Sequence, residues 1–541
     1  MENAAWNSYA NEARPTCFEG TRTAVFTDIY SWIVDDQTQI YVLDGLAGIG
    51  KSTVAKTVAK YARERGWLGA SFLFSKTEDD RKSAKLFFGT VAFQLSQYSQ
   101  EIALRIGEAL ERKPDASKQQ LQDQFQDLII HPLQSCERTS KSTVLIVIDA
   151  FDECDDQDAQ RLLSLFLQEI REVPNLKIFL TTRPERHILN ILRRHESHKL
   201  YRLHDIENSI VEGDVRKYLS HSLSSQAVEA ALPELEPPPW TPSPSDFKTL
   251  VDAAGKFFII ASTAIKFLLD DIRCNPEAQM TDLMRGIAVD NTGVNPLNVL
   301  DGVYTQILSI AIPSKSSPVI LSRFHSVVGT IILLQDLLGL RPLASLLKID
   351  INDVKGALLR LQSVISLTGP ESTPRIYHKS FPDFITDAKR CSNDPRFYVS
   401  IGKRHAYIAR DCFRVMDEQL RENICDLGFP EKYLDNTKIR HLVGVRISSE
   451  LRYACLHWVT HLCNAETGDN LSTLFETFSF THLLQWVEVL SLTGRLEVAY
   501  TALRHAIRFA VSRSTQNQST KRLNTYTSSA QAQMPDMSKK F

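Results

Sequence analysis

Gln39-Ile-Tyr-Val-Leu-Asp-Gly45-Leu-Ala-Gly48-Ile-Gly50-Lys51-Ser52-Thr53 is the stretch from which the fold can be read. Its first half, Gln39–Asp44, is an apolar run closed by a carboxylate and reads as a buried strand. Its second half fits G-x-x-x-x-G-K-[ST]. The glycines Gly45, Gly48 and Gly50 let the backbone curl so that successive N–H groups point inward at phosphate oxygens. Lys51 supplies a point charge for β- and γ-phosphates, and the Ser52 hydroxyl is a ligand for Mg²⁺. Thr53 completes the cofactor-binding positions in the first turn. A helix is expected from Lys51 to about Arg65, with the positive end of its dipole toward the anion.

Working outward, apolar strands are expected at Ala70–Ser75, Thr143–Asp149, Lys177–Thr182 and Leu200–Leu203, with helical patterns over 83–134. Short β-rich runs alternating with helices indicate a parallel sheet covered on both faces. Upstream, Val25, Ile29, Trp32 and Ile33 share one helical face. The Pro-rich stretch Pro233–Ser245 is expected to be a loop or linker. Helical patterns then run to about residue 510. Thr368–Arg375 falls between apolar runs, where it could turn a hairpin. The polar tail from Ser512 is expected to be disordered.

Asp149 ends the strand Thr143–Asp149 with a carboxylate, where it can hold the water shell of Mg²⁺. Glu153 is the candidate for orienting an attacking water, and Asp152 stands beside it. The competing reading is a solvated acidic loop, since Asp155, Asp156 and Asp158 extend the cluster. Arg183, just after the strand Lys177–Thr182, could sense a γ-phosphate. An ordinary turn residue is the alternative.

The 541 residues carry 62 Lys+Arg against 64 Asp+Glu, so no basic excess calls for nucleic acid or an anionic membrane as partner. The apolar runs Phe257–Leu269 and Val327–Leu340 are interrupted by Lys266 and Asp336 and are too short to span a bilayer. The N-terminus lacks the pattern of a secretory leader. Nine scattered cysteines do not look like a disulfide framework, so a cytoplasmic protein with reduced thiols is expected. Cys455, His457, His461 and Cys463 tempt toward a zinc site, but their segment reads as a continuous amphipathic helix. Leu483–Leu492 reads as a packed helix. Lys539 and Lys540 are too few for a basic arm.

The segments LDGLAGIGKST (43–53), VLIVIDAFDEC (144–154) and KIFLTTRPE (177–185) together resemble the NACHT NTPases, a branch of the STAND class of P-loop NTPases. The likeness is to the NLR-like forms abundant in fungi, with a nephrocystin-3-like nucleotide-binding module. It continues in CFEGTRTAVFTDIYSWI (17–33), AAGKFFIIASTAIKFL (253–268), LDGVYTQIL (300–308), ALLRLQSVISL (357–367) and IYHKSFPDFI (376–385). The resemblance implies an α/β P-loop domain followed by mostly helical domains that include a winged helix. With it, the chain divides into a lead-in at 1–37, a NACHT domain at 38–232, a linker at 233–246 and a small helical domain at 247–312. A winged helix at 313–395, a helical domain at 396–511 and a tail at 512–541 follow.

The resemblance also implies that His378, in the winged helix, contacts the β-phosphate of bound ADP and locks a resting state. Without it, a core or surface histidine is the plainer reading. Plant-type relatives carry Gly-x-Pro near the adenine, where this sequence has Gly255-Lys256-Phe257. ATP and ADP with Mg are expected, and GTP stays open. The family's usual effector domain and sensor repeats have no counterpart here, so a short form, a fragment and a partner for full-length relatives all stay open. The implied function is a slow NTPase switch in signalling, of the innate-immunity or heterokaryon-incompatibility kind, that self-associates through its nucleotide domain. A nucleotide-stabilised scaffold with little turnover is the alternative.

Overall fold

The computed structural model describes residues 4–8, 15–35, 38–76, 81–136, 142–235, 239–255, 257–271, 273–288, 296–368, 373–427, 436–466 and 471–514. Five strands, β1 (Ile40–Asp44), β2 (Leu68–Leu73), β3 (Val144–Asp149), β4 (Leu176–Thr182) and β5 (His198–Arg202), form one parallel sheet in the order β2-β3-β4-β1-β5. The strand ahead of the phosphate loop is therefore central, with β4 on one side and β5 on the other. Every residue of β1, β3 and β4 is buried, as expected of a parallel sheet covered on both faces.

Alternation along the strands sorts their side chains to two cores. Tyr41, Leu43, Val147 and Phe179 meet Val25, Ile29, Trp32 and Ile33 of the helix Thr23–Asp35, and Val54, Ala55 and Val58 of the loop-following helix Lys51–Glu64. On the other face, Ile40, Val42, Ile146, Ile148, Ile178 and Leu180 meet Phe87, Phe88, Phe125 and Phe166. The helical stretch expected over 83–134 contains the helices Phe87–Tyr98 and Gln100–Arg112 and a π-helical turn at Gln126–Ile130.

Two boundaries differ from expectation. β2 starts at Leu68, ahead of Ala70, because Leu68 is already in register with Leu145 of β3. The helix Pro244–Ala254 starts inside the stretch expected as linker. Proline breaks a helix from within but suits its first turn, and the Ser243 hydroxyl caps it by accepting the Asp246 N–H at 3.1 Å.

Beyond this point the described residues are mostly helical, with one hairpin among them. Helices Phe258–Leu268, Pro276–Ala288 and Pro296–Ala311 are followed by Pro318–Ile331, Leu340–Leu347 and Ile351–Leu359. Strands β6 (Ile365–Thr368) and β7 (Thr373–Ile376) then pair antiparallel, with Thr368 opposite Thr373. The hairpin expected at Thr368–Arg375 is present, and its turn, 369–372, lies outside the described residues. The short helix Ser380–Ile385 follows. In the last part, the helices Ile401–Gln419 and Ser449–Asn464 pack together, with Phe413, Trp458, Phe478 and Trp486 in mutual contact. The helix Leu496–Ser514 runs past residue 512, and the rest of the expected tail lies outside the described residues. Among the described residues, no helix is long and apolar enough to cross a membrane.

The zinc-like constellation is spent on separate contacts. His457 Nε2 lies 2.7 Å from Asp336 Oδ2, whereas His461 bonds His405 at 2.8 Å and Tyr453 at 2.7 Å. The Cys455 thiol is buried and Cys463 is exposed.

Candidate functional site

The phosphate loop emerges from β1 held by its neighbour: the Gly45 N–H donates to the Thr182 carbonyl of β4 at 3.2 Å. Gly48 and Gly50 have φ of +79° and +99°, a region that L side chains rarely adopt. A Cβ on Gly50 would meet nothing, so the loop is open there, whereas one on Gly48 would fall 2.5 Å from Ile259 Cγ2. Gly50 is also the N-cap of the following helix and brings no side-chain acceptor to its first-turn N–H groups. Lys51 Nζ donates to the carbonyls of Gly45 at 2.6 Å and Leu46 at 2.9 Å, bridging the arc of the loop. Burial lowers its pKa to about 8, although Asp152, Asp149 and Asp44 oppose the shift.

The acidic end of β3 lies beside this loop. Ser52 and Asp149 line one crevice with Lys56 and Ser71, and Ala4 and Trp6 close it. The Trp6 N–H donates to Ser71 Oγ at 3.0 Å. Thr181, on the adjacent strand, donates to Asp149 Oδ1 at 2.5 Å. At Ala150 the chain enters the left-handed region, φ +55°, which turns the following residues across the end of the sheet. Asp152 accepts the Arg183 N–H at 3.1 Å and lies 3.3 Å from Arg183 Nε. Glu153 accepts the Lys76 N–H at 3.3 Å. The acidic cluster thus divides. Asp156 and Asp158 sit in the first turn of the helix Asp156–Glu169, where carboxylates are favoured. Asp149 lines the crevice with Ser52 of the loop, Asp152 holds Arg183, and Glu153 holds the Lys76 N–H.

Residues 20–183, from the lead-in to the end of β4, match the family Nephrocystin 3, N-terminal. These residues hold the loop, the acidic positions Asp149, Asp152 and Glu153, and Arg183. They form a NACHT/STAND-like P-loop NTPase module. No curated protein matches the chain. Among solved structures, one similar fold is a STAND protein with a tetratricopeptide-repeat sensor from Pyrococcus horikoshii, at 13% identity and a TM-score of 0.38. The alignment covers 89% of this chain and 62% of that one, so this chain spans less than two thirds of its length. Drosophila ORC bound to DNA aligns at 12% identity over 69% of this chain and 96% of that one, with a TM-score of 0.29. Cdc6p from Pyrobaculum aerophilum aligns at 10% identity over 66% and 89%, with a TM-score of 0.27.

Among the described residues, the helical part of the chain meets the NTPase module at the phosphate loop and at the acidic end. The Ile259 N–H, at the start of the helix Phe258–Leu268, donates to the Gly48 carbonyl at 3.2 Å. The segment 378–383 meets the acidic end, with Lys379 Nζ 3.1 Å from Glu153 Oε1 and Asp383 Oδ2 3.7 Å from Arg183 Nη1. His378 stands next to these contacts. Its Nδ1 accepts the Ser380 N–H at 3.1 Å and lies 2.7 Å from Ser380 Oγ. An Nδ1 that accepts an N–H carries no proton, so in the neutral ring Nε2 is the donor.

Sequence reasoning missed two buried groups beside the loop. Arg22 is 5% exposed; its Nη2 donates to the Ile49 carbonyl at 3.0 Å and its guanidinium lies 5.0 Å from the Phe258 ring centroid. Its Nη1 is buried with no hydrogen-bond partner among the described residues. Asp44 is 1% exposed, and neither carboxylate oxygen has such a partner. Burial raises its pKa, with His204, Lys51 and Arg202 opposing. Both residues stood inside quoted motifs, but nothing in local spacing marks them. A buried guanidinium on an aromatic ring with one nitrogen unpartnered among the described residues, an uncapped helix start and an open glycine arc fit a nucleotide. The donor set Ser52 and Asp149 fits Mg²⁺, which prefers hard oxygen ligands. Lys256 lies outside the described residues.

Proposed function

We propose that this chain is a nucleotide-dependent switch that binds ATP or ADP, with Mg²⁺, between its NTPase module and the helical region that follows. The observation that carries this reading is the contact of the 378–383 segment with Glu153 and Arg183. A second part of the chain thereby meets the groups best placed to distinguish a diphosphate from a triphosphate. A ligand shifts a conformational equilibrium only through different contacts in the two states. Inverting a 1:99 population needs about 5.5 kcal/mol of differential binding.

In this reading the backbone N–H groups around Gly45, Gly48 and Gly50, with Lys51 and Thr53, hold the phosphates. Ser52 and Asp149 hold the metal, which supplies charge neutralisation at the phosphates. Glu153 orients water, and Asp152 holds Arg183 in position to sense the γ-phosphate. His378 donates from Nε2 to the β-phosphate of ADP and so favours the closed arrangement. Arg22 and Phe258 take the base, with ATP as the expected nucleotide and GTP as the alternative. The helices from Pro318 to Leu359 with the β6–β7 hairpin read as a winged helix. In this reading the domain limits inferred from the sequence are kept, with the helix Pro244–Ala254 counted in the small helical domain. Opening exposes the module for self-association in a signalling role.

The test is to denature the purified protein and identify the released nucleotide by chromatography, with Lys51→Ala as control. Near-stoichiometric ADP from the wild type and none from the variant supports a locked switch. GDP keeps the switch and changes the base. Bound nucleotide without any change in oligomeric state between ADP and a non-hydrolysable ATP analogue favours a scaffold, and no binding at all removes the reading.

A further inference from the structure

Lys379 and Asp383 lie four residues apart at the start of the helix Ser380–Ile385, where the Asp383 N–H donates to the Lys379 carbonyl at 3.1 Å. That spacing puts an ammonium and a carboxylate on one helical face. The module presents the complementary pair, Glu153 and Arg183, and the ion pairs form at 3.1 and 3.7 Å. The two module residues involved are the ones assigned above to water orientation and γ-phosphate sensing.

The segment that brings this pair is fastened to the second half of the chain. Ser380 Oγ lies 2.8 Å from the hydroxyl of buried Tyr304, in the helix Pro296–Ala311. The Tyr304 ring contacts Phe381 and Phe384 with centroids 5.3 and 5.5 Å away. Arg390 grips Asp301 of the same helix through Nε at 3.0 and 3.1 Å. Lys379 and Asp383 therefore travel with the helical region and cannot follow Glu153 and Arg183 if it swings away.

We propose that the Lys379–Glu153 and Asp383–Arg183 pairs form an ionic latch that withholds the hydrolytic groups in the closed state and frees them on opening. This deepens the switch reading and rests on it. A carboxylate already accepting an ammonium N–H is a weaker base toward water, and its rotamer is fixed by that partner. An arginine shared between two carboxylates has less of its fork left for phosphate. Turnover is then coupled to opening by the contacts that hold the closed form. The side chains of Lys379 and Glu153 keep 32% and 19% exposure, so each pair is a modest contributor, worth a few-fold and not thousands.

A zero-length carbodiimide cross-link tests the contact directly, because it joins only a carboxylate and an amine that touch. Full-length protein is treated with ADP or with a non-hydrolysable ATP analogue and Mg²⁺, and the Glu153–Lys379 linked peptide is quantified by mass spectrometry. Retained nucleotide is measured in the same samples. The linked peptide should be abundant with ADP and at least several-fold reduced with the analogue. In parallel, Lys379→Ala should raise phosphate release by about three- to five-fold, while Lys379→Arg, which keeps the pair, should stay at the wild-type rate. Thermal midpoints of both variants report whether a changed rate reflects lost folding instead. Nucleotide retained with a cross-link that ignores its identity overturns the latch and leaves the switch reading standing. Retained nucleotide with Lys379→Ala at the wild-type rate does the same, whereas a cross-link that never forms removes the contact on which both rest. No retained nucleotide in the wild type overturns both.

Discussion

Thr181 Oγ1 donates a hydrogen bond to Asp149 Oδ1 at 2.5 Å while accepting one from the Ala150 N–H at 3.0 Å. A hydroxyl has one proton, and here it is spent on the carboxylate, leaving the lone pairs for the backbone. Strand β4 thereby fixes both the rotamer of Asp149 and the left-handed turn that carries Asp152 and Glu153. Groups that orient a metal ligand typically contribute 10- to 100-fold in metal affinity. Thr181→Val keeps the shape and removes the hydroxyl. It should raise the Mg²⁺ concentration needed for nucleotide retention by about tenfold and cost roughly 1–3 kcal/mol of stability through the orphaned Ala150 N–H. A magnesium titration with an unshifted midpoint would show that Asp149 does not depend on this bond.

Arg22 should set the base preference. Its guanidinium lies against Phe258 with one nitrogen unused, a poor arrangement unless a ligand supplies an acceptor. Arg22→Met keeps the apolar stem and removes the donors. Discrimination between ADP and GDP in competition should collapse by about tenfold, a loss of roughly 1.4 kcal/mol. Unfolding free energy should change by less than about 1 kcal/mol, because an imperfectly paired buried charge leaves with the donors. An unaltered ADP-to-GDP ratio would remove Arg22 from the base site.

The contact between Gly48 and Ile259 makes a separable prediction. Gly48→Ala adds a Cβ 2.5 Å from Ile259 Cγ2 and also forces a side chain onto a φ of +79°. The backbone part costs about 1–2 kcal/mol, and the clash adds to it. Trimming the neighbour with Ile259→Ala should relieve the clash and leave the backbone cost. The double variant should therefore be more stable than the sum of the single changes, by about 1 kcal/mol in a denaturant cycle. Strict additivity would mean that the helix Phe258–Leu268 does not seat on the loop in solution.

What could be read from the sequence was local. β1, its loop and the following helix declare themselves because strand burial, glycine geometry and the lysine occupy adjacent positions. Asp149 followed for the same reason, as the polar end of an otherwise apolar strand. β5 was located only roughly, since an edge strand of half-buried residues such as His198 and Lys199 has little apolar periodicity. Pro244 read as part of a linker because proline marks a helix start and a loop equally well until its Ser243 cap is seen. Asp152 read as a catalytic or solvated carboxylate, and its bond to Arg183 on the neighbouring strand end carries no mark in local spacing. The contacts that close the site, Lys379 with Glu153 and Arg22 with Phe258, join residues more than two hundred positions apart, and no spacing rule reaches that far.

Far from the loop, buried His405 and His461 share a hydrogen bond between their Nδ1 atoms, and His461 also bonds Tyr453. One ring must donate and the other accept, so the contact requires at least one unprotonated nitrogen at that point. Burial lowers the pKa of His405 to about 4 from an ordinary value of 6.5. The unfolded chain therefore binds the proton first as pH falls. By linkage this stabilisation is fully present above the unfolded pKa and is lost as pH drops from about 6.5 toward about 4. The whole effect is bounded at roughly 3 kcal/mol. His405→Gln offers His461 a partner that does not titrate. Its stability at neutral pH should be lower, since an amide does not reproduce the ring's packing. Its loss of stability on acidification should be shallower than that of the wild type, by up to about 1.4 kcal/mol per pH unit. Denaturant unfolding of both proteins between about pH 7.5 and about pH 5 measures the difference and cancels the shared carboxylate background. Curves that run parallel through that window would mean that His405 titrates alike in the folded and unfolded chain.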